Sequence, residues 1–346
     1  MRDNAVAVAP EAVRSWLDGL ARPVAMTGGT GFVGSHVVET LVAARIRPRV
    51  LVRNRSKPRW IAGLGVTWVP GSLSDMDALR TLVAGAGTVI HLAGVVRAPR
   101  ASDFDRGNRA GTANLVQAVR DAAPDARLVH VSSLAAVGPC ETIDGVAPEA
   151  EPHPVSAYGR SKLAAEREVW KLGAEANWII LRPPAIYGPR DTDVFQFFRL
   201  ASEHVVPIPK GERWITVAYV ADVVRAVLAA AAGAGGSGCT LHLGEPDPYR
   251  LPALIRLLAD AGGVHTAILP VPAFILKAAG VLGSSLHRLG FHRVAMTRDK
   301  ARELLAHQWT AQTRPSLEAL GIREWTRFPD GARFSWQWYR EHGWLR

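Results

Sequence analysis

Val24-Ala25-Met26-Thr27 is a short apolar run that passes straight into Gly28-Gly29-Thr30-Gly31-Phe32-Val33-Gly34. Beyond it, from 35 to 44, apolar residues recur with helical spacing at Val37, Val38, Leu41 and Val42. A strand that turns on glycines into a helix constrains this chain more than any other feature. Lacking side chains, such a turn lets backbone come close to a pyrophosphate, and the helix behind it offers N–H donors and the positive end of its dipole. The spacing suits a tight turn at Gly28, close approach of a cofactor at Gly31 and close helix–strand packing at Gly34.

The pattern continues with short apolar strands at 49–52, 66–69, 88–92 and 128–131 and helices over 77–84 and 108–120. This alternation predicts a parallel sheet covered on both faces, and right-handed crossovers make it a doubly wound α/β domain. A helix over 156–172 and a buried strand at 178–181 follow, before Arg182-Pro183-Pro184 breaks the pattern. Then come a helical segment over 217–232 beginning near Asp222, a glycine-rich linker, and a region punctuated by Pro246, Pro248, Pro252, Pro270 and Pro272. The expected organisation is a dinucleotide-binding domain over 21–182, completed by 214–243. A smaller, mixed and mostly helical substrate-binding lobe takes 183–213 and 244–346.

Charge narrows the cofactor. The chain carries 41 Lys and Arg against 31 Asp and Glu, and the excess is concentrated. Between Thr40 and Ser74 stand Arg45, Arg47, Arg49, Arg53, Arg55, Lys57 and Arg59 with no acid among them. Arg53 closes the second strand, where an Asp or Glu would bond the adenosine ribose and repel a 2′-phosphate. Arginine pairs bidentately with phosphate, so NADP(H) is favoured over NAD(H). Part of the basic cluster then needs no nucleic acid to explain it, and no nucleic-acid module is evident.

Two cysteines, Cys140 and Cys239, cannot make a disulfide framework and suit a reducing compartment. The first 25 residues hold Asp3, Glu11, Arg14 and Asp18 and show no leader pattern, and no charge-free run is apolar enough to span a bilayer. A cytoplasmic chain is expected. The histidines show no metal-ligand spacing, so no metal is expected. His91 and His130, inside apolar strands, read as packing residues, and Cys140 as a loop thiol.

Tyr158-Gly159-Arg160-Ser161-Lys162 places Tyr158 and Lys162 on one face of a helix. A phenol ionises near pH 10, too high for acid–base work at neutral pH, and a neighbouring ammonium favours the phenolate. Ser133 follows the fifth strand, at the carboxyl edge where such sheets bind ligands, and a hydroxyl there can hold a substrate oxygen beside the tyrosine.

Together these motifs resemble the extended short-chain dehydrogenase/reductase family. The resemblance rests on 27–34, on His91-Leu92-Ala93-Gly94, on Asn108 with the Gly-Thr-x-Asn-Leu that follows, and on Ser132-Ser133. Tyr158 to Lys162 and Arg182-Pro183-Pro184-Ala185-Ile186-Tyr187-Gly188-Pro189 complete it. It implies a Rossmann fold, Tyr158 as general acid/base, Lys162 as the group that lowers its pKa and binds the nicotinamide ribose, and Ser133, favoured over Ser132, as orienter of the substrate oxygen. Gly28, Thr30, Gly31, Phe32, Val33 and Gly34 would hold the pyrophosphate. Leu73, Leu92, Ala93 and Gly94 would line the adenosine side, Pro183 and Pro184 the nicotinamide, and Tyr187 and Arg190 the substrate cleft. Two departures stand out: Ser72-Leu73 replaces an Asp that often meets adenine, and Ala221 replaces the first acid of a Val-Asp-Asp segment.

Among reactions of the family, sugar dehydration is disfavoured because Leu134-Ala135 stands where an Asp-Glu pair is usual. The segment from Ser132 to Pro139 resembles the 3β-hydroxysteroid dehydrogenase-like branch. The leading expectation is an NADP(H)-dependent oxidoreductase interconverting a secondary alcohol and a carbonyl on a lipophilic or cyclic small molecule. A nucleotide-sugar epimerase with bound NAD is the enzymatic alternative, and a non-catalytic NADPH-sensing or scaffold protein the alternative of another class. A homodimer is a family-level expectation. The apolar segment 273–282, interrupted by Lys277 and followed by Arg288, Arg293, Arg298 and Lys300, reads as a helix buried between lobes, or as a lipophilic substrate site or shallow membrane contact. Trp336, Trp338, Tyr339 and Trp344 read as packing.

Overall fold

A computed structural model describes residues 13–53, 60–98, 100–288 and 296–345. Arg55, Lys57, Arg59 and Arg293 lie outside the described residues. A short α1 (Arg14–Asp18) precedes β1 (Val24–Thr27), and the glycine turn leads into α2 (Phe32–Ala43). β2 (Arg49–Val52), β3 (Thr67–Pro70), α3 (Met76–Val83) and β4 (Thr88–His91) follow. α4 (Ala101–Phe104) and a wide helical turn run into α5 (Gly111–Ala122), β5 (Arg127–Val131), α6 (Ala157–Trp170) and β6 (Trp178–Arg182). Next come β7 (Ala185–Tyr187), α7 (Phe195–Ser202), β8 (Val205–Pro209), β9 (Trp214–Ile215), β10 (Val217–Tyr219), α8 (Val220–Ala231) and β11 (Cys239–His242). The last part holds β12 (Tyr249–Arg250), α9 (Leu251–Gly262), β13 (Ala267–Val271), α10 (Ala273–Arg288), α11 (Arg298–Leu305), β14 (Gln308–Trp309), α12 (Arg314–Ala319) and α13 (Phe328–Glu341).

Seven strands form one parallel sheet in the order β11-β6-β5-β4-β1-β2-β3. Successive residues of each central strand point to opposite faces. Met26, Ile90, Val129 and Ile179 meet Val37, Val38 and Leu41 of α2 and Val224, Val227 and Leu228 of α8. Ala25, Val89, Leu128 and Ile180 meet Leu79 and Leu82 of α3 and Leu115 and Val119 of α5. This is the doubly wound, Rossmann-like sheet expected, with additional helices and small sheets toward the C-terminus. The chain direction across the sheet reverses between β1 and β4. Their adjacent carboxyl ends, with Thr27 in register with His91, open the crevice where such folds bind ligands.

Within the span 217–232 the helix expected from near Asp222 runs over Val220–Ala231. Val217–Tyr219 is a strand in parallel register with Ala185–Tyr187, and only at Val220 does the helix start. Gly233, Gly235, Gly236 and Gly238 take positive φ and turn the chain, and the next residues form β11 on the sheet edge. In the C-terminal part Trp336, Trp338 and Tyr339 are fully buried with Phe198 and Phe328, as packing residues. α10 is not buried between lobes: most of its described side chains are exposed.

Candidate active site

The glycine turn has the shape of a cradle. Gly28 adopts φ +74°, and a Cβ there would lie 2.4 Å from the Ala93 nitrogen. A Cβ on Gly34 would lie 2.1 Å from the Gly28 carbonyl oxygen, so only hydrogen lets α2 close onto the turn. Gly31 is different: it is exposed, and its Cβ would meet only that same oxygen, at 3.2 Å. It precedes α2 without a side-chain cap on the first-turn N–H groups, with Thr30, Phe32 and Val33 half-buried around it. An uncapped helix start beside an open glycine fits a dinucleotide pyrophosphate.

The neighbouring strand ends extend the crevice. The Leu92 N–H donates to the Thr27 carbonyl (3.2 Å) and the Ala93 N–H to Thr27 Oγ1 (3.3 Å). Leu92 and Ala93 are half-buried and Gly94 exposed. Leu73, beyond β3, is half-buried, and its carbonyl accepts from Asn114 Nδ2 at 2.8 Å. Arg53 is exposed immediately beyond β2. Pro183 is buried, and its carbonyl accepts from the Leu134 N–H at 2.8 Å.

α6 carries the reactive pair. Ser156 Oγ caps it by accepting from the Gly159 N–H at 2.9 Å. Asp299 of α11 reaches over to accept from the Ala157 N–H (2.9 and 2.8 Å) and the Tyr158 N–H (3.2 Å). Tyr158 therefore sits in the first turn and Lys162 one turn further on. Lys162 Nζ donates to the Val131 carbonyl at 2.8 Å, at the end of β5. Ser133, two residues past that strand, accepts from the Ala135 N–H at 3.2 Å, and its hydroxyl is near enough to Tyr158 to draw the phenol's pKa down, whereas the Ser132 hydroxyl is buried without a partner among the described residues.

Two further residues organise this corner, and the sequence alone assigns a role to neither. Asn108 is buried, its Oδ1 accepting from the Val95 N–H at 2.6 Å. Its Nδ2 donates to the Val95 carbonyl (3.0 Å) and to Ser161 Oγ (2.8 Å), and Ser161 in turn donates to the Tyr158 carbonyl (2.7 Å). One amide thus ties the loop after β4 to the catalytic helix. Asp299 is the other, and nothing local to it signals that its carboxylate will cap a helix 141 residues earlier.

The electrostatics correct one expectation. Burial pushes the Tyr158 phenol up to about 12, against the pull of the nearby Ser133 hydroxyl and with a further push from the Glu303 and Asp193 carboxylates. Burial also brings Lys162 down to about 8, with Glu166 opposing the shift. The Tyr–Lys spacing alone therefore does not bring the phenol toward neutrality: desolvation wins, and the ammonium is engaged by the Val131 carbonyl. Beneath it, His91 is lowered to about 3 by burial and by the Lys162 charge. It is held by Thr27 (2.6 Å) and Thr112 (2.9 Å). Both His91 and His130 are packing groups that stay neutral below the lysine.

Two expected substrate residues are placed elsewhere. Tyr187 is 1% exposed and packs on Tyr219 and Phe328, because β7 turns it into the aromatic cluster. Arg190, in a left-handed backbone conformation (φ 73°), is buried. It donates to Ser35 Oγ (3.1 Å) and Glu39 Oε1 (2.6 Å) and lies over the Trp60 ring. It braces α2 rather than facing a cleft.

Comparison with known proteins agrees with this geometry. Residues 24–244 match the NAD dependent epimerase/dehydratase family. A ceramide reductase of Caulobacter vibrioides is 33% identical over 93% of this chain and 96% of its own. The 4-hydroxy-2-methyl-3-oxo-4-farnesyl-3,4-dihydroquinoline-1-oxide ketoreductase of Stigmatella aurantiaca is 29% identical over 85% of this chain and 94% of its own. The crystal structure of gox2253 superposes with a TM-score of 0.77 at 26% identity, covering 93% of this chain and 99% of that one. With more than half of its length matched, the chain belongs to the NAD-dependent epimerase/dehydratase family of extended short-chain dehydrogenases/reductases, and it is an NAD(P)-dependent enzyme of oxidoreductase type.

Proposed function

We propose that this enzyme interconverts a carbonyl and a secondary alcohol on a lipophilic small molecule, with NADP(H) as its cofactor and reduction as the direction the relatives favour. The observation that carries the reading is the placing of Tyr158 and Lys162 one helical turn apart, with Lys162 Nζ on the Val131 carbonyl at the carboxyl edge of the sheet, where Ser133 follows β5. In reduction, Ser133 holds the carbonyl oxygen and Tyr158 gives it the phenolic proton. Lys162 offsets the phenolate charge that remains. The bound nicotinamide supplies the hydride. Gly28, Thr30, Gly31, Phe32, Val33 and Gly34 cradle the pyrophosphate. Leu73, Leu92, Ala93 and Gly94 flank the adenosine side, and Pro183 borders the nicotinamide. Arg53 takes the 2′-phosphate.

The substrate class follows the relatives: a ceramide reductase and a ketoreductase of a farnesylated quinoline both act on molecules with long apolar parts. An oxidised ceramide is the first compound to try. The same reading places the enzyme in the cytoplasm, with no nucleic-acid partner, as a homodimer, and with a peripheral membrane contact through α10.

Nicotinamide absorbance tests this, with NADPH and NADH compared on a panel of lipid ketones for the native enzyme and Arg53→Asp. NADPH should be preferred by about tenfold or more, the worth of one charged contact of ~1.4 kcal/mol, and Arg53→Asp should erase that preference. Equal use of NADH would remove Arg53 from the phosphate. Tightly retained NAD with no net redox consumption would replace the reductase reading with a nucleotide-sugar epimerase.

A further inference from the structure

The reaction leaves α10 unexplained. Its inward side is narrow and small: among the described side chains Leu276, Gly280 and Gly283 are the buried ones. A Cβ on Gly280 would come 2.9 Å from Ala301 Cβ and 3.0 Å from the Thr297 carbonyl, so α10 lies tightly against the start of α11. The outward side is the apolar one. Phe274 is 71% exposed, Leu282 63%, Ile275 45% and Val281 42%, with Ala278 and Ala279 exposed between them. At helical spacing these six fall within an arc of about 160°. β13, which runs into α10 across Pro272, adds an exposed Leu269. The amphipathicity is inverted relative to a helix that serves only a core.

Cations accompany this face. Lys277 is exposed at its margin, and exposed Lys210 stands beside the start of α10, its N–H bonded to the Val271 carbonyl at 2.9 Å. On α11 the cations Arg298, Lys300 and Arg302 are exposed, and the partly buried acids Glu303 and Asp299 lie 3.2 Å from Lys300 and 3.9 Å from Arg302. Asp299 is turned onto the N-terminus of α6, and the charge of Glu303 is felt by Tyr158. An apolar strip edged by lysine and arginine matches an anionic bilayer surface, with acyl chains beneath and phosphates around. At 16 residues α10 is too short to cross a bilayer, and none of the described helices is long and apolar enough to do so. It would therefore lie in the plane.

We propose that α10 docks the enzyme on an anionic lipid surface, with Phe274, Ile275, Val281 and Leu282 at the acyl boundary and Lys210, Lys277 and the α11 cations among the headgroups. Because α11 is joined to the catalytic helix through Asp299, the docked face lies beside the site, and a lipid ketone would reach Tyr158 from the membrane. That purpose, though not the surface itself, rests on the lipid-ketone reading.

Vesicle co-sedimentation without cofactor or substrate tests the surface independently of turnover. The enzyme should bind phosphatidylcholine–phosphatidylglycerol vesicles, bind pure phosphatidylcholine less, and lose binding as salt rises. Phe274→Glu with Leu282→Glu should reduce binding at least tenfold, and Lys277→Glu about fivefold. Both variants should keep the unfolding midpoint and the turnover of a short water-soluble ketone. Undiminished binding by the double variant, or no binding by the native enzyme, overturns the proposal. So does a native dimer that ignores vesicles and is split by the double variant, since the face would then join two copies. Vesicle binding without turnover of any lipid ketone would sustain the docking surface and sink the substrate reading alone.

Discussion

Glu166, one turn beyond Lys162 on α6, grips the guanidinium of Arg182 with both carboxylate oxygens. Nε donates to Oε1 at 3.0 Å and Nη2 to Oε2 at 2.7 Å, and both side chains are fully buried. Arg182 ends β6, and its Nη1 also donates to the Pro148 carbonyl at 3.1 Å. The catalytic helix is thus fixed to the carboxyl edge of the sheet by a bidentate pair, and the same carboxylate opposes the loss of charge on Lys162.

Removing one partner of a buried pair strands the other charge. Glu166→Ala should therefore cost about 3–5 kcal/mol of stability, and Glu166→Gln less, since its amide oxygen still accepts one bond. Urea unfolding checks this. A loss below about 1 kcal/mol for the alanine variant would place the pair among exposed ones.

The glycines of the turn should separate by function. Gly34→Ala drives a methyl into the backbone of Gly28, with 2.1 Å to its oxygen and 2.8 Å to its carbonyl carbon, so stability and cofactor binding should fall together. Gly31→Ala meets one atom at 3.2 Å and otherwise faces outward. Its unfolding midpoint should be near native, while NADPH affinity drops about tenfold or more by fluorescence titration. Unchanged affinity in Gly31→Ala would move the pyrophosphate away from this turn.

Lys162 should leave a mark on stability against pH. Burial lowers it to about 8 from its ordinary 10.5, so between those values the unfolded chain binds a proton that the folded chain does not. Stability must then rise with pH across that window, by at most ~1.4 kcal/mol per pH unit. Lys162→Met should remove the rise. Urea unfolding of both proteins at several pH values within the window gives the comparison, and parallel profiles would mean that the folded lysine titrates normally.

The glycine turn, the strand–helix alternation and the Tyr158–Lys162 spacing were legible in the sequence because each is a local backbone pattern with one structural solution. The short strand Val217–Tyr219 was not: Val217 to Val220 is one apolar run, and only pairing with β7 marks its first three residues as strand. Tyr187 and Arg190 were misplaced because motif position does not say which way a side chain turns. Their partners Phe328, Ser35 and Glu39 come from distant segments. The placing of Asp299 and the tie from Asn108 to Ser161 are likewise tertiary. For α10, an apolar composition suggested burial, but Gly280 and Gly283 line the inside and the large side chains face out. The phenol's environment also required the fold, since desolvation and the reach of Lys162 to the Val131 carbonyl decide it.

The most direct measurement is pre-steady-state reduction of an accepted ketone by Tyr158→Phe beside the native enzyme, with NADPH affinity titrated on both. The ring and its contact with Phe104 are retained in this variant, and only the proton donor is lost. The account predicts NADPH binding within a few-fold of native and a reduction rate lowered by about 10²–10⁴, the range one positioned proton donor supplies. A rate within tenfold of native would contradict it and move the proton to another group.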